Sequence, residues 1–223
     1  MSEPSGTTGH QATPAADADG ASGIGRRLAA HRSRRGLRVA ELARDVGVTP
    51  SLISQIERGQ SRPSVSTLFA LAQALGVPVD AFFRDGEVRP YDEVPSAGGR
   101  YLVRKQTRAA IDIEGGVRWE RLTRNTMDHL DFFELIYQPG AESHPRQYTH
   151  PGTEMVLVMR GSLEITVGFE HYRLGPGDSI DFPSSMPHRY VNPGEETAHA
   201  VTVIFYERPG ARGGDGDRGH PAP

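Results

Sequence analysis

A chain of 223 residues, 36% apolar and 24% charged, has material for one large domain or two small ones. It lacks both a run of about 18 apolar residues that would cross a bilayer and an apolar leader, so a cytoplasmic protein without membrane contact is expected. The absence of cysteine excludes disulfides and thiolate metal sites, and leaves His, Asp, Glu, Tyr or water to hold any metal. The net charge of −3 is uneven: over Gly23–Asp85 ten Arg face five acidic residues, giving +5 and leaving −8 for the rest, which points to a polyanionic partner for that block alone.

Residues 1–22 are Ser, Thr, Gly, Ala and Pro with almost no large apolar side chain, and are expected to be a disordered tail, as are 208–223. Between them, residues 23–84 read as five short helices. Ile24, Leu28 and His31 recur at helical spacing and Gly36 closes the first helix; Val39, Leu42, Ala43 and Val46 mark the second. Gly47-Val48 forms a turn, Thr49 caps a third helix with Pro50 at its first position, and Leu52, Ile53 and Ile56 form its apolar face. Ser64 caps a fourth, with Leu68, Leu71, Ala72 and Leu75 inward, and Pro78 opens a fifth through Phe83. The polar stretch 85–100, with Pro90, Pro95, Gly98 and Gly99, is expected to be a linker. Within 101–207 the pattern turns to period two. Strands are predicted over 132–137, 155–159, 163–167, 171–174, 179–182, 188–191 and 200–206, separated by Gly/Pro turns, which indicates an antiparallel sandwich or barrel.

A helix, a Gly-containing turn and a second helix over Val39–Arg58 is the arrangement that lays its second helix in the DNA major groove. That helix presents Pro50, Ser51, Ser54 and Gln55 away from its apolar face. Gln55 can offer donor and acceptor together to an adenine edge, Ser51 and Ser54 can bond to bases or phosphate, and Arg38, Arg58 and Arg62 are candidate phosphate contacts, with Thr49 at the helix start. Spacing alone also allows a small helical domain with a solvated arginine face. The run Gly36-Leu37-Arg38-Val39-Ala40-Glu41-Leu42-Ala43, then Gly47 to Gly59, Pro63-Ser64 and Leu71 to Val77, closely resembles the helix-turn-helix of the Cro/C1 repressor class, the XRE family. The resemblance implies DNA binding and a structural role for Glu57 at the end of the recognition helix. Many members carry Gln or Ser where Arg38 and Val39 stand.

In the second half His150 and Glu154 lie four apart, on one face if the segment is an extended strand, with Tyr148 on the same face and His188 in a later strand. Two imidazoles and a carboxylate can form a triad suited to one divalent Fe, Mn or Zn; the same polar cluster can instead bind an organic ligand directly, helped by Arg146, Tyr148, Arg189 and Tyr190 as an effector pocket. Gly140, His150, Pro151-Gly152-Thr153-Glu154 and Gly161 resemble the first cupin motif, and Gly177 to Asn192 the second. The resemblance implies a jelly-roll β-barrel. Its metal-binding form has a His where Tyr148 stands, so three of four ligands remain and Tyr148 is a further candidate.

Both resemblances in this order imply a two-domain protein, α then all-β: a five-helix DNA-binding domain and a cupin barrel. In such regulators a homodimer binds double-stranded DNA in response to a small-molecule effector. Some proteins with this domain order are iron-dependent epoxidases, which makes an oxygenase with a helical accessory domain the alternative; a basic recognition helix argues for the regulator.

Overall fold

The computed structural model describes residues 20–83, 101–125, 127 and 129–206. The expected linker 85–100 and tail 208–223 lie outside these residues. So does most of the expected N-terminal tail, although the first helix already begins at Gly20.

Among the described residues the N-terminal part has four α-helices, α1 (Gly20–Arg34), α2 (Val39–Val46), α3 (Pro50–Glu57) and α4 (Val65–Leu75). The expected fifth helix is instead a single 3₁₀ turn, Val79–Phe83. Five residues behind Pro78 are too few to repay the nucleation of an α-helix. Side-chain caps start the helices as their residue types dictate: the Thr49 hydroxyl accepts from the Leu52 N–H at 3.2 Å, and that of Ser64 from the Thr67 N–H at 3.2 Å. At the start of α2, Glu41 accepts from both the backbone N–H and the guanidinium of Arg38, each at 2.7 Å. Helix α1 crosses the end of α3 closely, because a Cβ at Gly25 would stand 2.5 Å from the carbonyl oxygens of Ile56 and Glu57. Glu57 is held there by Arg32, at 2.6 Å and 3.0 Å, and Arg32 also donates to the Leu37 carbonyl.

The C-terminal part is a pair of antiparallel sheets. Among the described residues nine strands run β1 (Ala110–Ile113), β2 (Val117–Arg121), β3 (Leu130–Tyr137), β4 (Thr153–Arg160), β5 (Leu163–Val167), β6 (Glu170–Leu174), β7 (Ser179–Pro183), β8 (His188–Val191) and β9 (Ala198–Phe205). Six form one sheet in the order β1-β2-β3-β9-β4-β7, and three form the other, β6-β5-β8. The expected barrel is therefore a cupin fold of two facing sheets, with no closed ring of strands among the described residues. Strands β1 and β2 are additions to the predicted set.

A six-stranded sheet facing a three-stranded one has surface to spare, and the helices cover part of it. Trp119 of β2 and Phe133 of β3 stack at 5.5 Å; Phe133 stacks on Phe83 at 4.8 Å, and Trp119 meets Phe69 of α4 edge-on at 5.8 Å. Buried Leu28, Leu68, Phe83, Trp119, Phe133 and Ile165 belong to one continuous apolar core. Polar contacts follow the same seam: Asp80 pairs with Arg121, both almost fully buried, and the Glu114 N–H donates to the Pro63 carbonyl at 3.0 Å. Among the described residues no helix is long and apolar enough to cross a membrane.

Candidate nucleic-acid face and candidate metal centre

Helix α3 turns Leu52, Ile53 and Ile56 inward, with Ile53 and Ile56 fully buried. The opposite face leaves Pro50, Ser51 and Gln55 exposed, with Thr49 exposed at its start and Ser54 half-buried. Arg58 is exposed and its Nε donates to Gln60 at 3.0 Å. Arg38 is 83% exposed while bonded to Glu41. Arg62 faces the other way: its guanidinium lies 3.9 Å from Asp112 of β1, so it leans toward the seam. The bidentate Arg32–Glu57 pair places Glu57 in the structural role that the resemblance implied.

The second cluster lies between the sheets. His150, Glu154 and His188 are buried, and one candidate ligand atom from each falls within 4.8 Å of the others. Glu154 points inward because it alternates with exposed Met155 and Leu157 along β4, and His188 alternates in the same way with Arg189 along β8. His150 is not on a strand. The chain turns at Pro151-Gly152 before β4 begins, with Gly152 at φ 108°, where a Cβ would meet the Phe205 carbonyl oxygen at 2.5 Å. The segment is held by backbone pairing of Tyr148 with His188 and by the His150 N–H to the Ser184 carbonyl at 3.0 Å. The expected juxtaposition is present, produced by this pinned loop rather than by strand alternation.

Hydrogen bonds orient all three side chains. His188 Nδ1 lies 2.8 Å from the Met186 carbonyl, which calls for a proton on Nδ1 and turns Nε2 inward, where it is buried with no hydrogen-bond partner. His150 Nδ1 faces the Pro151 carbonyl at 3.2 Å and its Nε2 faces Glu154 at 3.2 Å. The Thr202 hydroxyl donates to the other Glu154 oxygen at 3.1 Å. Burial pushes the Glu154 carboxyl up, but the His150 hydrogen bond and the charges of the two imidazoles outweigh it and hold the carboxyl below its usual range. Burial holds the His188 imidazole below its usual range, against the pull of Glu154. A carboxylate beside an imidazole held neutral is the protonation state that a divalent cation requires of its ligands. The orphaned His188 Nε2, buried beside the hydrogen-bonded His150–Glu154 pair, fits such an ion.

Of the other expected pocket residues, Tyr148 and Tyr190 are at the cluster: their rings lie 4.5 Å and 6.1 Å from that of His188. Burial, reinforced by neighbouring tyrosines and Glu154, raises both phenols well above their usual range, so both are neutral hydroxyls. Arg146 and Arg189 are not brought to the cluster. Arg146 is exposed in a loop, and Arg189 alternates to the outside of β8, where it pairs with Glu142. Two residues not anticipated from the sequence also border the cluster. Thr202 holds Glu154, and Phe69 of α4 stacks on the His150 ring at 3.8 Å with the planes 5° apart. The available signal for Phe69 was an apolar stripe on α4 wider than its own helical bundle needs.

Comparison with known proteins agrees with this division. Residues 24–82 match the family model described as a helix-turn-helix domain, and residues 133–204 match that of the cupin domain. The HTH-type transcriptional regulator SutR of Escherichia coli is 28% identical over 79% of this chain and 91% of its own length. The HTH-type transcriptional regulator SinR of Bacillus licheniformis is 30% identical over 44% of this chain and 95% of its own. The crystal structure of an HTH-family transcriptional regulator from Vibrio cholerae superposes with a TM-score of 0.62 at 24% identity, covering 85% of this chain and 98% of the other, and so shares the fold. The chain belongs to the XRE-type helix-turn-helix transcriptional regulators that carry a C-terminal cupin domain.

Proposed function

We propose that the protein is a one-component regulator of the cytoplasm, in which residues 23–84 bind double-stranded DNA and residues 101–207 bind a small effector. The observation that carries this reading is the solvent-facing edge of α3, Pro50, Ser51 and Gln55, set in a stretch, Gly23–Asp85, of net charge +5. Thr49, Pro50, Ser51, Ser54 and Gln55 meet bases and adjacent backbone, while Arg38, Arg58 and Arg62 supply phosphate contacts, Arg62 after turning from Asp112. DNA from around the gene, titrated over a salt series against random DNA, tests this: specific, salt-sensitive binding supports it, and equal affinity for random DNA ends it. Gln55→Ala is expected to weaken the specific complex by about 1–3 kcal/mol while leaving random-DNA binding unchanged. An equal loss on both would make Gln55 a backbone contact.

The effector site is built on His150, Glu154 and His188, with Tyr148 and Tyr190 as neutral hydrogen-bonding groups beside them. The donor set suits one divalent Fe, Mn or Zn, which when bound supplies open coordination positions for an oxygen-bearing ligand. The same triad would serve an oxygenase, so oxygen consumption by the iron-loaded protein with no DNA affinity would favour that second reading.

A homodimer is supported by the outer face of the six-stranded sheet. Met155, Leu157, Met159 and Phe205 are each more than 40% exposed there, beside half-buried Val201 and Val203. An apolar sheet face of this kind suits a second copy, and a dimer reading two half-sites needs its recognition helices about 34 Å apart.

A further inference from the structure

The stack between Phe69 and His150 joins the helical domain to the interior of the cupin. Phe69 is buried on α4, and besides His150 its ring touches Trp119 of β2 and lies 6.1 Å from Tyr148, stacked at 23°. His150 is thus oriented by three contacts: the Pro151 carbonyl at Nδ1, Glu154 at Nε2, and an aromatic ring across one face that comes from the other domain. Helix α4 packs on α2, and α2 packs on α3. A continuous set of packed side chains therefore runs from the imidazole to the helix that faces DNA. Behind Phe69, between the domains, lies a cleft of about 260 Å³ lined by Ala72, Val77, Val79, Pro151 and Tyr206 as well as Phe69 itself.

We infer that Phe69 is the coupling element between the two sites: it positions His150 for ligation, and occupation of the His150–Glu154–His188 cluster favours the docked position of the helix-turn-helix domain. The inference rests on the effector-site reading above. Its physical basis is reciprocal linkage. Ligation fixes the plane of the His150 ring, the same plane against which Phe69 packs, so each event lowers the ordering cost of the other.

Cobalt(II) titration of the full chain tests this, followed by absorption and by the emission of Trp119, the single tryptophan, which sits against Phe69. Phe69→Leu keeps an apolar side chain and removes the ring. It is expected to weaken cobalt binding by about ten-fold, as loss of an orienting contact to a ligand does elsewhere. Independently, cobalt is expected to slow backbone hydrogen exchange across Val65–Leu75 in the unsubstituted protein but not in Phe69→Leu. This difference with and without metal survives a general loss of stability in the variant. Equal cobalt affinity in the two proteins, or equal protection of α4, overturns the coupling while leaving the metal site standing. An unsubstituted chain that takes up no cobalt removes the metal reading and the coupling together.

Discussion

Replacing Arg121 with alanine is expected to lower the stability of the whole chain by about 3–5 kcal/mol, read as a shift of the denaturant midpoint followed by Trp119 emission. Arg121 is 4% exposed on β2 and pairs with Asp80, 3% exposed, of the 3₁₀ turn. Asp131 of β3 is buried in the same cluster, accepting the Tyr206 hydroxyl at 2.7 Å. Removing the guanidinium leaves two buried carboxylates without its charge at the junction of the domains. The cluster also sets a pH dependence. Burial first, and then the charge of Asp80, push the Asp131 carboxyl up to about 7 from 3.8, against the Tyr206 hydrogen bond and Arg121. Between those values the folded chain keeps a proton that the unfolded chain has released. This group therefore makes stability fall as pH rises from 3.8 toward 7, and Asp131→Asn should flatten that slope. An unchanged slope in Asp131→Asn would place the titration elsewhere.

His188→Ala is expected to reduce bound metal by ten-fold or more, measured by elemental analysis after equilibration with iron, manganese or zinc; about ten-fold is the lower end of the loss seen when even an outer contact to a ligand is removed. Unchanged metal content would return the cluster to the organic-ligand reading. Burial holds the His188 imidazole below 6.5, so in the unsubstituted protein proton competition for this ligand sets in at a lower pH than for a free imidazole.

Much of this was legible in the residues. The caps Thr49 and Ser64 and the glycine turns mark helix ends by local chemistry, and the apolar residues of α2 to α4 repeat at the helical period. Alternation along β4 and β8 placed Glu154 and His188 inward. Strands β1 and β2 were not anticipated: Ala110–Ile113 has four residues, and β2 carries Arg118, Glu120 and Arg121 among its apolar positions, so neither offers a long period-two signal. Arg189 was expected to help line the pocket, but it follows His188 directly on β8, and neighbours on a strand face opposite ways. Phe69 could be recognised as apolar but not as a partner of His150, because that contact spans 81 residues of chain and depends on how the domains meet.

That meeting has a consequence for dissection of the molecule. A fragment ending at Phe83 would carry Phe69 and Phe83 stripped of their partners, and a fragment beginning at Tyr101 would bare Trp119, Phe133 and the face of His150. Each half would be sticky alone, and the two would be each other's best solvent shield. A protease that severs the connection between Phe83 and Tyr101 would therefore yield a nicked complex that migrates as one particle, with the peptide link broken and the two halves still in register.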